Sequence, residues 1–288
     1  MSNIVLEHSP LVMVLIEVRF TPLPQKHLEA GLEDFKSTLF EHELPDFHET
    51  DISQVEGKPN ESGQLEFKTI MGKRWDFISL NRDLGVTLAR DSICFRATTY
   101  SHFGDFKKRW SLVIQAFFAS FFHANKAGIQ RMGLRYMDVF LPQQNEAYTD
   151  YINNDWLSKR QVDGDTSTLS SYKQQARTMS GLLRLELEER SSENGNVSIF
   201  PKDINDPDPV ALQVQVKELW KTAVPKKYAI LDIDHIWAAE NRELKALNLD
   251  NVLAITDSLH EDCANIFWNI ISKHAEEKWN KGHLEIRQ

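Results

Sequence analysis

The chain has 288 residues, long enough for one large domain or two mid-sized units, and with 41% hydrophobic and 26% charged residues it lies outside the range of disordered proteins. With 42 acidic against 33 basic side chains the formal net charge is −9, a field that repels phosphate backbones, so nucleic acid is not an expected partner. The two cysteines, Cys94 and Cys263, sit apart in apolar segments without metal-ligand spacing, as free thiols of a reducing compartment do.

The apolar run Leu11 to Phe20 ends in Thr21-Pro22-Leu23-Pro24, the pattern of a central strand running into a loop. It is interrupted by Glu17 and Arg19 and has no basic stretch before it, so neither a signal peptide nor a membrane span is expected there. Leu28, Leu32, Phe35 and Leu39 then step at helical spacing. Between Phe47 and Tyr100 the period falls to two, with Leu65/Phe67, Trp75/Phe77, Val86/Leu88 and Ile93/Phe95 in short runs. Met71-Gly72-Lys73, Asn81 to Gly85 and Arg90-Asp91-Ser92 are the expected turns of an antiparallel meander. Phe106, Trp110, Val113, Ile114, Phe117, Phe118, Phe121 and Phe122 restore the helical period in an aromatic stripe closed by Gly128, and helix-on-sheet core is the expected role of such large rings. The longest basic run, Lys107-Lys108-Arg109, lies at the start of this helix and is expected to be a solvated face.

From Ile129 the pattern begins again. Ile129 to Phe140 reads as a strand whose exit, Leu141-Pro142-Gln143, repeats the exit Leu23-Pro24-Gln25 of the first. A weaker helix is expected at Tyr148, Ile152 and Trp156, with strands near Ser167–Arg177, at Leu182–Arg190, after the turn Ser191 to Gly195, and at Tyr228–Trp237. Residues 201–227, with Asp203, Asp206 and Asp208 among several prolines, read as a surface excursion in which Val210 to Thr222 forms a short helix or an edge strand. A long amphipathic helix carries Val252, Ile255, Leu259, Cys263, Ile266 and Ile270 on one stripe.

The fold class is therefore α+β: two tandem β-α-β4-α units, residues 1–128 and 129–288, sharing a curved antiparallel sheet with helices on one face. This element order resembles that of the TATA-binding-protein-like fold, whose two halves join their sheets into one saddle with the helices on its convex side. Together, Pro10-Leu11-Val12-Met13-Val14, the Phe-rich helix after Trp110, Arg131-Met132-Gly133-Leu134-Arg135-Tyr136, Leu231-Asp232-Ile233-Asp234, and Leu259-His260 leading into Phe267 resemble a sporadically distributed bacterial family without an assigned activity. Members of that family commonly carry an acidic residue where Met13 stands here, and Glu17 follows later in the same strand. The resemblance implies a bacterial cytosolic protein from mobile or defence-associated gene neighbourhoods, and it supplies no catalytic residues.

No phosphate-binding loop, dinucleotide fingerprint, zinc-protease motif or nucleophile elbow occurs, and no cofactor is implied. Asp232 and Asp234 at i, i+2 share one strand face roughly 7 Å apart. They are either a divalent-metal pair, with Glu186, Glu188 or Asp138 as third ligand, or exposed polar positions of a half-buried strand. His260 and Cys263 form an i, i+3 helical pair with too few ligands for a zinc site.

Glu17, Arg19, Arg135, Arg184, Glu186, Glu188, Asp232 and Asp234 all fall within apolar strands, where an unpaired charge is costly to bury, so they face water, a partner or each other. The leading expectation is a non-catalytic binding protein whose mixed-charge sheet face docks another protein or a second copy of the chain. The second is a small-molecule binder in which the Phe-rich and terminal helices enclose an apolar cavity against the sheet. The third is a metal-dependent nuclease or related phosphoryl-transfer enzyme using Asp232 and Asp234.

Overall fold

The computed structural model describes residues 4–59, 62, 64–157, 170–192, 196–200, 204, 208–223, 226–240 and 243–283. After a short strand β1 (Ile4–Leu6) comes β2 (Leu11–Phe20), the apolar run expected to be central. Its neighbours are β6 (Ser92–Ala97) on one side and β7 (Gly128–Phe140) on the other, both antiparallel. The first-half meander continues outward from β6 through β5 (Leu84–Ala89) and β4 (Leu65–Ile78) to the edge strand β3 (Asp46–Pro59). On the far side of β7 lie β10 (Lys227–Ala238), β9 (Leu182–Ser191) and the opposite edge strand β8 (Ser171–Arg177), while the two-residue β11 (Lys245–Ala246) pairs with the start of β7. The result is one ten-stranded antiparallel sheet. β1 instead pairs with β12 (Lys281–His283), bringing segments from the two ends of the chain together.

Side-chain parity decides what each face carries, because successive residues of a strand point to opposite sides. Val14, Ile16, Val18 and Phe20 of β2, with Met132, Leu134, Tyr136 and Phe140 of β7, face the main core. Over them pack α1 (Gln25–Glu41), α2 (Phe103–Ser120), α4 (Leu249–Ile270) and α5 (Lys273–Lys278), contributing among others Phe35, Trp110, Phe117 and Leu259. The side chain of His102 starts α2 by accepting from the Asp105 N–H, and Asn248 starts α4 by accepting from Asn251 N–H at 2.9 Å. Gly31 lets α1 meet the end of α2 closely, since a Cβ there would lie 2.3 Å from the Ser120 carbonyl oxygen. Among the described residues no helix is long and apolar enough to cross a membrane.

Four local expectations need correction. Met71-Gly72-Lys73 is no turn but the middle of β4, where Gly72 pairs with Ile52 and the Ile52 side chain covers the space a Cβ would fill. The aromatic stripe stops at Phe121, which caps α2, and Phe122 is 80% exposed. The helix expected from Tyr148 to Trp156 is two 3-10 turns, Tyr148–Tyr151 and Asn154–Trp156, because the backbone there bonds instead to the α4–α5 junction through Asn153 N to Ile270 O and Ser272 N to Tyr151 O. No strand follows the Ser191 turn among the described residues: Glu193, Asn194 and Gly195 lie outside them, Asn196 makes only a single bridge, and Val197 and Ile199 pack against the sheet while Arg190 and the Tyr228 hydroxyl hold the Ser198 backbone.

The largest correction concerns the second face. Residues 208–223 do not loop into solvent but run as a strap across it, and Pro201, Asp203, Asp206, Pro207 and Pro225 of the same stretch lie outside the described residues. Val210 and Leu212 are buried against Ile78, Arg82 holds the Ala211 carbonyl at 2.8 Å, and Thr98 holds that of Gln213 at 2.6 Å. The strap's interior begins with a 3-10 turn and ends in the single-turn helix α3 (Glu218–Lys221), whose Trp220 packs with Met13, Met137, Val139, Tyr228 and Ile230. Among the described residues α-helices therefore sit on both faces, with α3 alone on the second. Apolar side chains of that parity on β2, β7 and β10 explain the strap: without it they would meet water.

Candidate functional site

All eight strand charges singled out from the sequence lie on the second face, and the structure pairs most of them with one another. Arg135 grips both oxygens of Asp232, at 2.8 and 2.6 Å, and both side chains are largely buried. Arg184 lies 3.9 Å from Asp234. Glu186 meets Lys173 at 2.7 Å, Glu188 meets Arg190 at 2.7 Å, and Glu17 meets Arg19 at 3.1 Å. Burial raises the Asp234 carboxyl above its ordinary value while Arg135 pulls it back down. A cation at Asp232 would have to displace the Arg135 guanidinium, and Asp138, one of the suggested third ligands, points to the opposite face. Among the described residues no group of three His, Cys, Asp or Glu side chains is arranged to hold a metal ion.

Further along the same face is an ionic cluster that the sequence reading did not single out. Asp76, fully buried, takes Arg74 at 2.8 Å and the Thr87 hydroxyl at 2.6 Å, with Arg96 at 3.8 Å. Gly85 lies between this cluster and Leu212 of the strap, so the cluster is roofed by protein.

The helix-covered face is different. Between β7, α2, α4 and β1 lies a cavity of about 320 Å³. Tyr136, Asp138 and Ile233 form its floor, Phe103 and Lys107 of α2 one wall, Cys263, Ala264 and Phe267 of α4 the other, and Ile4 to Leu6 of β1 its outer edge. His260 stacks on Phe103 with ring centres 3.5 Å apart, and its Nδ1 is 2.9 Å from the Tyr136 hydroxyl, which in turn hydrogen-bonds with Tyr100. Burial lowers His260 to about 4 and raises Tyr100, Tyr136 and Cys263, so these four groups are neutral near neutral pH. The Lys107 ammonium is held by Asp257 at 2.7 Å.

One acid stands in this setting. Asp138 shares the parity of Met132, Leu134, Tyr136 and Phe140, so the strand turns its carboxyl into the apolar side. It is 3% exposed and lines the cavity, and among the described residues no side chain hydrogen-bonds to it. Burial pushes the carboxyl up to about 7; the positive charge of Lys217 opposes that shift and Asp232 adds to it. Lys217, at the end of the strap, does not pair with it directly. Its ammonium donates to the carbonyls of Ser9, at 2.5 Å, and Leu11, pinning the link between β1 and β2, and burial lowers it to about 8.

Compared with known proteins, the chain matches no family model, no curated protein and no solved structure. The sequence reading gave Asp138 and His260 a site role only as metal-ligand possibilities, quoted Tyr136 and His260 in motifs of the family resemblance, and gave Tyr100, Tyr136 and Lys217 no site role. For Asp138 the signal was present: a carboxylate in phase with the large apolar residues of a strand is either paired or placed for use.

Proposed function

We propose that the protein binds a small molecule in the cavity between the sheet and helices α2 and α4. The observation that carries this reading is the combination of about 320 Å³ of largely apolar space with one buried, unbonded carboxyl, Asp138, in its lining. Ligand sites are typically apolar clefts of this size or larger with a few polar groups that fix orientation. A buried polar group left without a partner costs stability, and a bound molecule that bonds to it removes that cost. The volume suits a ligand of on the order of a dozen non-hydrogen atoms, taking the smaller cavity that holds benzene as the scale. Native mass spectrometry of protein purified from its host, beside an Ala264→Phe variant that fills the cavity, tests the reading. A co-purified small molecule on the parent and none on the variant is expected; identical spectra would sink it.

The sheet-face docking reading has one observation in its favour. Arg19 and Arg184 remain about half exposed at the margin of the second face, where a protein partner or a second copy of the chain would find them. The ion pairs beneath them are already satisfied within the chain, which is why the cavity is preferred. In either reading we place the protein in the cytosol, as a member of the bacterial family it resembles, and regard the two halves as a duplication. The order β6, β5, β4 outward from β2 and β10, β9, β8 outward from β7, with α2 and α4 following each half, supports the duplication.

A further inference from the structure

We infer that the ligand of this cavity is a hydrophobic amine whose ammonium group is bound by Asp138 and whose apolar body lies among the aromatic side chains. The inference rests on the cavity-binding reading above and adds the chemical class of the ligand.

The argument starts from the charges. Tyr100, Tyr136, His260 and Cys263 are neutral in the folded protein, and Lys107 is engaged by Asp257 at 2.7 Å. Asp138 is therefore the group whose ionisation sets the sign of the cavity's interior. No ion pair within 4.0 Å joins it to Lys217, whose ammonium is turned to the Ser9 and Leu11 carbonyls. An anionic ligand would set carboxylate against carboxylate in a low-dielectric site. A neutral ligand would form one hydrogen bond but bring no charge to balance an ionised Asp138. A protonated amine forms a charge-assisted bond about twice as strong and lets Asp138 ionise. The walls add to this preference: Tyr100, Phe103, Tyr136, Phe267 and Trp268 line the space, and aromatic faces attract an ammonium group as well as covering an apolar body. Among the described residues of the lining, Lys107 is engaged by Asp257 and His102 lies 3.3 Å from Asp105, so neither stands free to favour an acid.

Three probes of nearly equal shape separate the possibilities: 2-phenylethylamine, 2-phenylethanol and phenylacetate, titrated calorimetrically into the full chain at about pH 8. The amine is expected to bind about tenfold or more tightly than the alcohol, with phenylacetate weakest. Asp138→Asn, which keeps the side chain's shape and an acceptor for the alcohol's hydroxyl, is expected to remove the amine's advantage over the alcohol. A cooperative urea transition shows the variant is folded. Equal affinity for amine and alcohol, or an advantage that survives Asp138→Asn, overturns the amine inference and leaves the cavity reading intact. Failure of all three probes to bind, with Ala264→Phe behaving as the parent, overturns both.

Discussion

Asp138 and Asp232 lie on neighbouring strands of one sheet, one register step apart, yet on opposite faces and in opposite conditions. Asp232 is gripped at both oxygens by Arg135. Asp138 is more deeply buried and has no bonded partner among the described residues, so burial pushes its carboxyl up to about 7. The contrast shows that charge within an apolar strand is not in itself a mark of function. On the second face the chain has built its own counterions, across strands for Arg135–Asp232, Arg184–Asp234 and Lys173–Glu186 and along one strand for Glu17–Arg19 and Glu188–Arg190. On the helix face, among the described residues, no cation bonds to Asp138 and a cavity adjoins it.

The comparison breaks most sharply at Arg135. Arg135→Ala leaves Asp232 largely buried without its cation, beside an Asp234 that burial already raises. Removing one partner of a buried pair typically costs about 3 to 5 kcal/mol, and the loss should appear as a lower urea midpoint with an unchanged slope. Replacing both partners, Arg135→Met with Asp232→Leu, should restore most of that stability. If Arg135→Ala alone is neutral, water reaches the second face and its pairs are not structural.

At Asp138 the sign reverses. The folded carboxyl sits at about 7 against an ordinary 3.8, so between those values the folded chain holds a proton that the unfolded chain gives up. Stability contributed by this group is full below about pH 4 and is lost as the pH rises to about 7. Asp138→Asn removes the charging penalty. Its effect on stability should be more favourable near pH 8 than near pH 3.5 by on the order of 4 kcal/mol, the unbonded amide adding the same constant cost at both. Urea denaturation across that range reads the difference directly.

His260 supplies an opposing slope within the same cavity. Its folded value of about 4 lies below the ordinary 6.5, so the unfolded chain takes the proton first and stability falls as the pH drops from about 6.5 to about 4. In the parent the two slopes oppose each other through that window. His260→Phe should cost about 1 kcal/mol at neutral pH through the lost Tyr136 bond and leave a stability that rises toward acid. Asp138→Asn should instead leave one that falls.

Much of the frame was legible in the sequence because it rests on periodicity. β2, α1, β7, α2 and α4 stand where apolar spacing put them, with errors mainly at ends. What escaped was non-local. Nothing in Tyr148 to Trp156 says that its backbone will bond to Ile270 and Ser272, so a helical spacing became 3-10 turns. The strap was hidden by its prolines and aspartates, which read as a surface loop, although Val210 and Leu212 were apolar enough to suggest something to cover. The eight charges were found as a set because they interrupt apolar strands, and their common face followed from parity. Their pairing did not follow, since a cross-strand partner such as Lys173 depends on register. Asp138 was visible by its phase with Tyr136 and Phe140, but the cavity before it depends on where α2, α4 and β1 come to rest.

The smallest expected effect tests what the margin of the second face is for. Lys173 is 68% exposed in its pair with Glu186, and Arg19 is 52% exposed in its pair with Glu17. Exposed pairs gain little in high dielectric and lose side-chain freedom, so Lys173→Ala and Arg19→Ala should each shift stability by less than about 0.5 kcal/mol, and by less again in high salt. Such tolerance fits simple solvation and also fits a docking margin, which separates stability from recognition. Sedimentation of the two variants beside the parent then divides the cases for self-association. If the parent is a dimer and charge removal at this rim makes it a monomer, the face is an interface between copies. If all three sediment alike while the probe amine still binds, the margin is solvated and binding belongs to the cavity.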